Sequence, residues 1–181
     1  SVDVPGIFAR SARDVARLLG IVAGRDACDP RSSGLPVPDY EASVERGVAG
    51  LRIGVPQNFF LEGVAGDVAL RLEESLQALA ALGAEIVPVT VPEPEHLTEL
   101  SRVLVYSEAA AIHGPWLRER AEHYSPQVRM RAATGLAIPA AAYQQAQQLR
   151  PRILRRLVEA VFSRCDVLHL PTLGIPVPTL A

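Results

Sequence analysis

The sequence contains no lysine, and all 18 of its strongly basic side chains are arginine. A guanidinium group stays protonated at any ordinary pH, so none of these residues can serve as a general base. The absence excludes, for this chain by itself, any chemistry that depends on a neutral lysine.

Cysteine is nearly as scarce, since only Cys28 and Cys165 are present. The two lie far apart, and neither has a CxxC partner or a histidine at the spacing of a metal site. We therefore expect two reduced thiols, with no metal ion and no cofactor.

Long apolar runs are missing as well. No run approaches the roughly 20 residues of a membrane helix, and Ser1–Arg10 lacks a basic segment followed by an apolar one. A net charge of −2 provides no long-range attraction for nucleic acid or an anionic membrane. These observations predict a cytoplasmic protein that binds neither nucleic acid nor membrane.

What is present is the composition of a soluble globular protein, with 181 residues of which 49% are apolar. A chain of this length can bury about two thirds of its unfolded surface without disulfides or metals. We predict a single α/β domain over residues 1–181.

The first predicted element is a helix that begins at Ser11. The Ser11 side chain can cap the free amides, and Asp14 places a negative charge in the first turn, where the helix dipole favours it. Gly24 provides the stop. The segment Arg25–Pro38 is rich in proline, serine and glycine, which is typical of a surface loop.

A βαβ unit is predicted next. Leu51–Val55 has the pattern of a short buried strand, Asp67–Leu82 that of an amphipathic helix, and Glu85–Val89 that of a second strand. Such a unit favours parallel strands with a right-handed crossover. Because Pro88 cannot donate to a ladder, the second strand should lie at a sheet edge or end there.

Helices dominate the region that follows. One helix should run to His113, where Gly114 and Pro115 are expected to end it. A shorter helix should follow Ser125 and Pro126, with the serine as cap and the proline in the first turn.

A third helix, predicted to be the longest, starts near Pro139. Pro151 falls inside it and is expected to produce a kink or a break. Its inward-facing residues should be Leu149, Ile153, Leu157 and Val161. A final strand is predicted over Asp166–Leu170, ended by a proline.

Three stretches of the sequence, taken in order, resemble the amidase signature family. Ser1–Ser11 is similar to the family's Ser-Leu-Asp, Gly-Pro and Arg-Ser/Thr segment, although Ile7 replaces the proline usual after the glycine. The other two are Gly50–Pro56, followed by Leu82–Val87, and Cys165–Thr172, which resembles the family's Asp-Val-Leu and Pro-Thr strand and loop. Their order, spacing and coverage of nearly the whole chain make the resemblance specific.

The resemblance implies a partial three-layer amidase-signature fold, with a short, mostly parallel sheet, incomplete at both ends, and several flanking helices. It also implies hydrolysis of carboxamide C–N bonds by a Ser-cisSer-Lys mechanism. In the family, the lysine and both serines precede the stretch that resembles Ser1–Arg10. We therefore expect this chain to be an internal fragment that is inactive by itself, since a serine nucleophile needs a base.

Two alternatives remain open. One is the family's subunit of a tRNA-dependent amidotransferase, although Ser101-Arg102 and His113–Trp116 do not look like the stretches typical of that protein. The other is a non-enzymatic α/β binding or scaffold module. The sequence has neither GxGxxG after a strand nor a P-loop, so it offers no phosphate cradle.

No catalytic residue is predicted within the chain, but three residues are candidates for the substrate-binding wall of the parent enzyme. Thr172 follows the last strand, where open α/β sheets place ligands, although it can equally serve its own turn. The resemblance suggests that Asp3 orients the active-site backbone, and the plainer alternative is a local cap. The resemblance implies that Arg131, with Arg129 beside it, lies near where some family members use arginine to hold a substrate carboxylate, which the planar guanidinium suits. The alternative that we favour for both is a solvated helix charge.

The expected partner is a small-molecule amide, bound by the intact parent. Strand edges and apolar helix faces that other segments cover in the family should be exposed here. We therefore expect self-association into dimers or larger species through exposed sheet edges.

Overall fold

The computed structural model describes Val2, residues 4–30 and residues 32–177. Its internal contacts divide the chain into two compact units, one covering Asp3–Ala49 and the other covering Gly50–Ala181 together with Ser1–Val2. The smaller unit is helix and loop, whereas the larger one holds the sheet. The single domain expected from the chain length stays a prediction.

The smaller unit is built on helix α1, Ala12–Val22. As predicted, the Ser11 hydroxyl accepts from the backbone N–H of Asp14 at 3.1 Å, and Gly24, with φ of 133°, follows the last turn. A short helix α2, Tyr40–Ser43, packs against α1, and Arg17 donates to the Glu41 carboxylate at 2.6 and 3.0 Å. These hydrogen bonds lower the pKa of Glu41.

The larger unit contains a three-stranded sheet in the order β2-β1-β3, where β1 is Arg52–Pro56, β2 is Glu85–Val89 and β3 is Val167–Leu168. Both pairs are parallel. Helix α3, Gly66–Ala81, connects β1 to β2, so the predicted βαβ unit and the α/β class are confirmed. Pro88 lies on the edge strand β2, also as predicted.

Strand β3 is shorter than the predicted Asp166–Leu170. Its two residues pair with Ile53 and Gly54 of β1. The backbone N–H groups of Asp166 and His169 also donate to β1 carbonyls, both at 2.9 Å, which extends the register by one residue on each side. The chain leaves the sheet after that point because Pro171 cannot continue the ladder.

The core of this unit lies where the sheet meets the end of the last helix. Val89, Val91, Val161 and Cys165 are almost completely buried and pack together. Ile53, in the central strand, is also buried. Both cysteines are free thiols, with Cys28 exposed.

Helix α4, Pro94–Glu119, continues through Gly114 and Pro115, so the predicted end at His113 is wrong. Contacts on both sides of the proline hold the helix together. The His113 ring lies edge-on to Trp116 and its Nδ1 is 3.0 Å from the Tyr124 hydroxyl. Tertiary packing thus outweighs the local cost of a helical proline.

Gly114 is buried in this helix, facing the next helix, α5, Pro126–Leu136. A short 3-10 turn, Ala121–His123, connects the two. The start of α5 agrees with the prediction, since the Ser125 hydroxyl accepts from the N–H of Val128 at 3.4 Å.

Helix α6, Ala140–Leu157, passes through Pro151 without a break, so a break there is excluded and the alternative of a kink stays a prediction. Pro151 lies on the exposed side of α6, where a carbonyl that has lost its helical partner can accept from water. The helical geometry changes later, in a π-helical turn over Val158–Phe162. With 18 residues, α6 is also shorter than α4, which has 26, contrary to the prediction.

The predicted inward face of α6 and the π-helical turn that continues it is correct for three of four residues. Val161 is fully buried, and Ile153 and Leu157 are half-buried. Leu149 is instead 46% exposed, because it lines an open groove beside α4. Among the described helices, none is both long enough and apolar enough to cross a membrane.

Candidate substrate-binding edge

The carboxyl ends of the three strands meet at one edge of the sheet, and a loop leaves each of them. These are residues 57–65 after β1, residues 90–93 after β2 and residues 169–177 after β3. Open α/β sheets bind their ligands at this edge. We call these three loops the carboxyl edge.

Asn58 ties the first two loops of the carboxyl edge together. Its side-chain amide donates to the carbonyl of Val91 at 2.9 Å, and its side-chain oxygen accepts from the N–H of Val91 at 3.0 Å. Val91 is only 1% exposed, so the half-buried Asn58 satisfies two backbone groups that water cannot reach easily. This two-point contact fixes the spacing of the loops after β1 and β2.

The loop after β3, which carries Thr172, is anchored at both ends. Nε2 of His169 lies 3.1 Å from the hydroxyl of Ser75 on α3. Further on, the carbonyl of Gly174 accepts from the N–H of Ala65 at 2.8 Å. Thr172 lies between these anchors and is exposed. The structure therefore puts Thr172 on the carboxyl edge, and its contact with substrate stays a prediction.

The other predicted site residues do not join Thr172. Arg129 and Arg131 are exposed on α5, whose buried residues are Ala132 and Gly135. Within the part of the chain that the structure describes, no hydrogen bond or ion pair links these arginines to Thr172. Asp3 lies outside the described residues.

The opposite edge of the sheet carries an ion pair that sequence analysis did not find. The Asp166 carboxylate accepts from Nη2 and Nε of Arg52 at 2.7 and 3.2 Å, and from the Arg52 backbone N–H at 2.9 Å. The two residues stand 114 positions apart in sequence, so no local pattern reveals the contact. It joins the amino ends of β1 and β3, the two strands that carry the second and third stretches of the family resemblance.

This ion pair leads to a prediction about pH. The Arg52 side chain, and then the Arg52 backbone N–H, lower the pKa of the partly exposed Asp166 in the folded state. The ion pair therefore contributes stability above the unfolded pKa, near 4, and the contribution disappears as the pH falls through the lower folded pKa. Asp166→Asn should make the unfolding free energy less dependent on pH below about pH 4.

Urea unfolding at a series of acidic pH values measures this effect. Glu119→Gln, which removes an exposed carboxylate from the end of α4, is the matched control and should keep the wild-type slope. If Asp166→Asn and the wild type lose stability in parallel as the pH falls, the carboxylate has no special role.

The sequence pattern of the amidase family matches residues 1–181, the whole chain. The chain belongs to the amidase signature family. Within the described residues, no group of three or more histidine, cysteine, aspartate or glutamate side chains could hold a metal ion.

Individual relatives agree with this membership. The chain is 40% identical over 176 residues to an amidase of Pseudomonas putida, covering 97% of this chain and 38% of the relative. It is 36% identical over 199 aligned positions to a glutamyl-tRNA(Gln) amidotransferase subunit of Halorhodospira halophila. This alignment covers 97% of this chain and 41% of the relative. A crystal structure of an amidase superposes on the chain with a TM-score of 0.73 at 33% sequence identity. The superposition covers 94% of this chain and 35% of the amidase chain.

The chain thus spans about two fifths of the length of the curated relatives that it matches. The matched part includes the carboxyl edge with its three loops. Family membership therefore applies to the sheet and the helices around it. The activity of the whole protein does not follow from family membership alone.

Proposed function

We propose that this chain is part of an enzyme that hydrolyses carboxamide C–N bonds by a Ser-cisSer-Lys mechanism. The observation that carries the proposal is the match of the amidase family to all 181 residues, together with 40% identity to an amidase. In this mechanism a neutral lysine, acting through the second serine, removes the proton of the nucleophilic serine as that serine attacks the amide carbonyl. The C–N bond then breaks, the ammonia or amine leaves with that proton, and an acyl-enzyme remains. Water finally hydrolyses the acyl-enzyme and releases the acid.

The chain alone should not perform this reaction. It contains no lysine, and its arginines cannot accept the proton of a nucleophilic serine. A serine without a positioned base is a poor nucleophile. We therefore assign to this chain a share of the substrate-binding wall and of the scaffold, while the reacting groups belong to the rest of the enzyme.

The proposed binding wall is the carboxyl edge. Thr172 supports this assignment because it lies on an anchored, exposed loop directly beyond the strand ends. Asp3 and Arg131 remain proposed substrate-binding residues on the family resemblance alone. The substrate is a small-molecule amide.

The second candidate function is that of a tRNA-dependent amidotransferase subunit, which would also release ammonia from an amide. The 36% identity to such a protein over 97% of the chain favours it. We favour general amide hydrolysis because the identity to an amidase is higher, at 40%.

Measurement of ammonia release tests the catalytic part of the proposal. We expect the 181-residue chain to release no ammonia above buffer from acetamide, benzamide or glutamine, because it lacks the general base. It should also remain unlabelled by a fluorophosphonate, which reacts with activated serines. The Pseudomonas putida amidase, assayed with the same amides and probe, is the positive control.

Turnover that disappears on replacement of one serine of this chain would show a nucleophile within residues 1–181. The proposed division of labour would then be incorrect. Glutamine hydrolysis that appears only when the chain is combined with other amidotransferase subunits would favour the second candidate.

We also propose that the isolated chain associates with itself through its strand edges. Ile86 on β2 is 37% exposed and Val167 on β3 is 41% exposed, so apolar side chains face water on both outer strands. Such edges pair with other strands unless charge prevents it. Light scattering coupled to size-exclusion chromatography should detect dimers or larger species, and Val167→Lys should shift them toward monomer. A wild-type chain that elutes as a monomer at every concentration would contradict this proposal.

A further inference from the structure

A groove separates the first part of α4 from α6. It encloses about 600 Å³, a volume within the range of small-molecule sites. Both helices contribute to its apolar floor, which consists of Leu100, Val103, Ala142, Ala146, Leu149 and Ile153. Leu149 is 46% exposed, so a large apolar side chain of this floor faces water.

Three residues that line the groove link the two helices at one end of it. The Glu93 carboxylate accepts from Nη1 of Arg156 at 2.8 Å, and Nδ1 of His96 lies 3.6 Å from the same oxygen. Glu93 has a φ of 46°, a left-handed conformation that costs a glutamate strain and that persists where the surroundings enforce it. The ion pair connects the start of α4 with the end of α6 beside the groove.

Two further charges stand on the walls of the groove. Glu99 comes from α4 and Arg152 from α6, and both side chains are exposed. In the described residues neither one takes part in an ion pair, whereas Glu93 and Arg156 satisfy each other. The groove therefore presents one available carboxylate and one available guanidinium on opposite walls, above an apolar floor.

We propose that this groove binds a short apolar peptide with free termini. The peptide ammonium lies against Glu99, and the peptide carboxylate accepts the paired hydrogen bonds of the Arg152 guanidinium. The apolar side chains cover Leu149 and its neighbours on the floor. A ligand with a single charge meets one like charge in the groove, so the balance of Glu99 and Arg152 favours a zwitterion.

The proposal does not depend on amide hydrolysis, because the groove lies between α4 and α6 and its test measures binding alone. Isothermal titration calorimetry of the 181-residue chain with the dipeptide Leu-Leu should detect a complex. Arg152→Gln and Glu99→Gln should each weaken the affinity about tenfold, since each removes one charge-assisted contact.

Matched controls separate the groove from the general surface. Arg155→Gln on α6 and Glu95→Gln on α4 remove the same charges beside the groove and should leave the affinity unchanged. N-acetyl-Leu-Leu, which lacks the ammonium, should bind more weakly than Leu-Leu to the wild type and should not be weakened further by Glu99→Gln. Absence of Leu-Leu binding at millimolar concentrations, or equal affinity of the groove variants and the control variants, would overturn the proposal.

Discussion

Replacement of Gly135 by alanine should destabilise the larger unit by about 3 kcal/mol or more. Gly135 lies on α5 at the point where this helix crosses α4. A Cβ atom there would overlap the backbone carbonyl of Tyr106 and would stand 2.7 Å from the Cβ of Ala110. Because the obstacle includes the backbone of a neighbouring helix, a side-chain rotation cannot relieve it, and the two helices must move apart.

Urea unfolding monitored by tryptophan fluorescence measures this loss. The sequence contains one tryptophan, Trp116, and it lies on α4 itself. Gly114→Ala is the matched control, because Gly114 is also a buried helical glycine in the same helix pair. Apart from its chain neighbours and the backbone of its own helix, a methyl group at Gly114 would meet only the Leu136 side chain at 3.6 Å and the Arg118 side chain at 3.9 Å.

Gly114→Ala should therefore change the unfolding free energy by no more than about 1 kcal/mol, since the helical preference of alanine opposes the crowding of its Cβ against the following Pro115. The contrast between the two substitutions is the test. Equal unfolding free energies for Gly135→Ala and Gly114→Ala would mean that α4 and α5 do not approach as closely as the structure has them.

The second large effect is expected at Gly54 in the central strand. An added Cβ would stand 2.5 Å from the Sγ of Cys165 and 3.1 Å from a methyl group of Leu168. Cys165 is fully buried and cannot withdraw. Gly54→Ala should therefore cost about 2–3 kcal/mol of unfolding free energy, by overpacking the contact between β1 and the residues that lead into β3.

A double-mutant cycle identifies the cause. Cys165→Ala alone should cost about 1–2 kcal/mol through the cavity that it leaves. Because it also removes the atom nearest the new methyl group, the double variant should lose at least about 1 kcal/mol less than the sum of the single variants. Additive losses would locate the strain elsewhere. Gly66→Ala, where a Cβ meets no atom within 4 Å, is the control and should change little.

The elements that the sequence predicts correctly are those whose start and stop residues lie within the element or directly beside it. Helix α1 has its own cap in Ser11 and its own stop in Gly24, and α5 starts with Ser125 and a proline. The strands β1 and β2 flank an amphipathic helix of their own βαβ unit. Local hydrogen bonds and periodic burial are sufficient to define such elements.

The predictions from sequence were wrong where contacts with residues distant in the chain determine the structure. Helix α4 continues through Pro115, beside the contact of His113 with Tyr124, which lies beyond the end of the helix. The exposure of Leu149 depends on the width of the groove between α4 and α6. A helical pattern indicates which residues share a face, but it does not indicate how closely the neighbouring helix approaches that face.

The candidate site also combines a feature that the sequence predicted with contacts that it did not predict. The place of Thr172 at the carboxyl edge followed from a general rule for parallel sheets. The hydrogen bonds between Asn58 and Val91 join residues that are 33 positions apart in sequence. The Arg52–Asp166 ion pair joins residues that are 114 positions apart. Neither contact has a local signature, so both required the three-dimensional arrangement of the strands.

We have proposed that this chain supplies a substrate-binding and structural part of a carboxamide hydrolase. The most direct test is a hybrid in which the chain replaces the segment of the Pseudomonas putida amidase that it matches at 40% identity. We predict that the hybrid releases ammonia from an amide that the unmodified amidase hydrolyses, and that it loses this activity when the lysine or a serine of the retained segment is replaced. A hybrid that folds as stably as the unmodified amidase and yet releases no ammonia would contradict this claim.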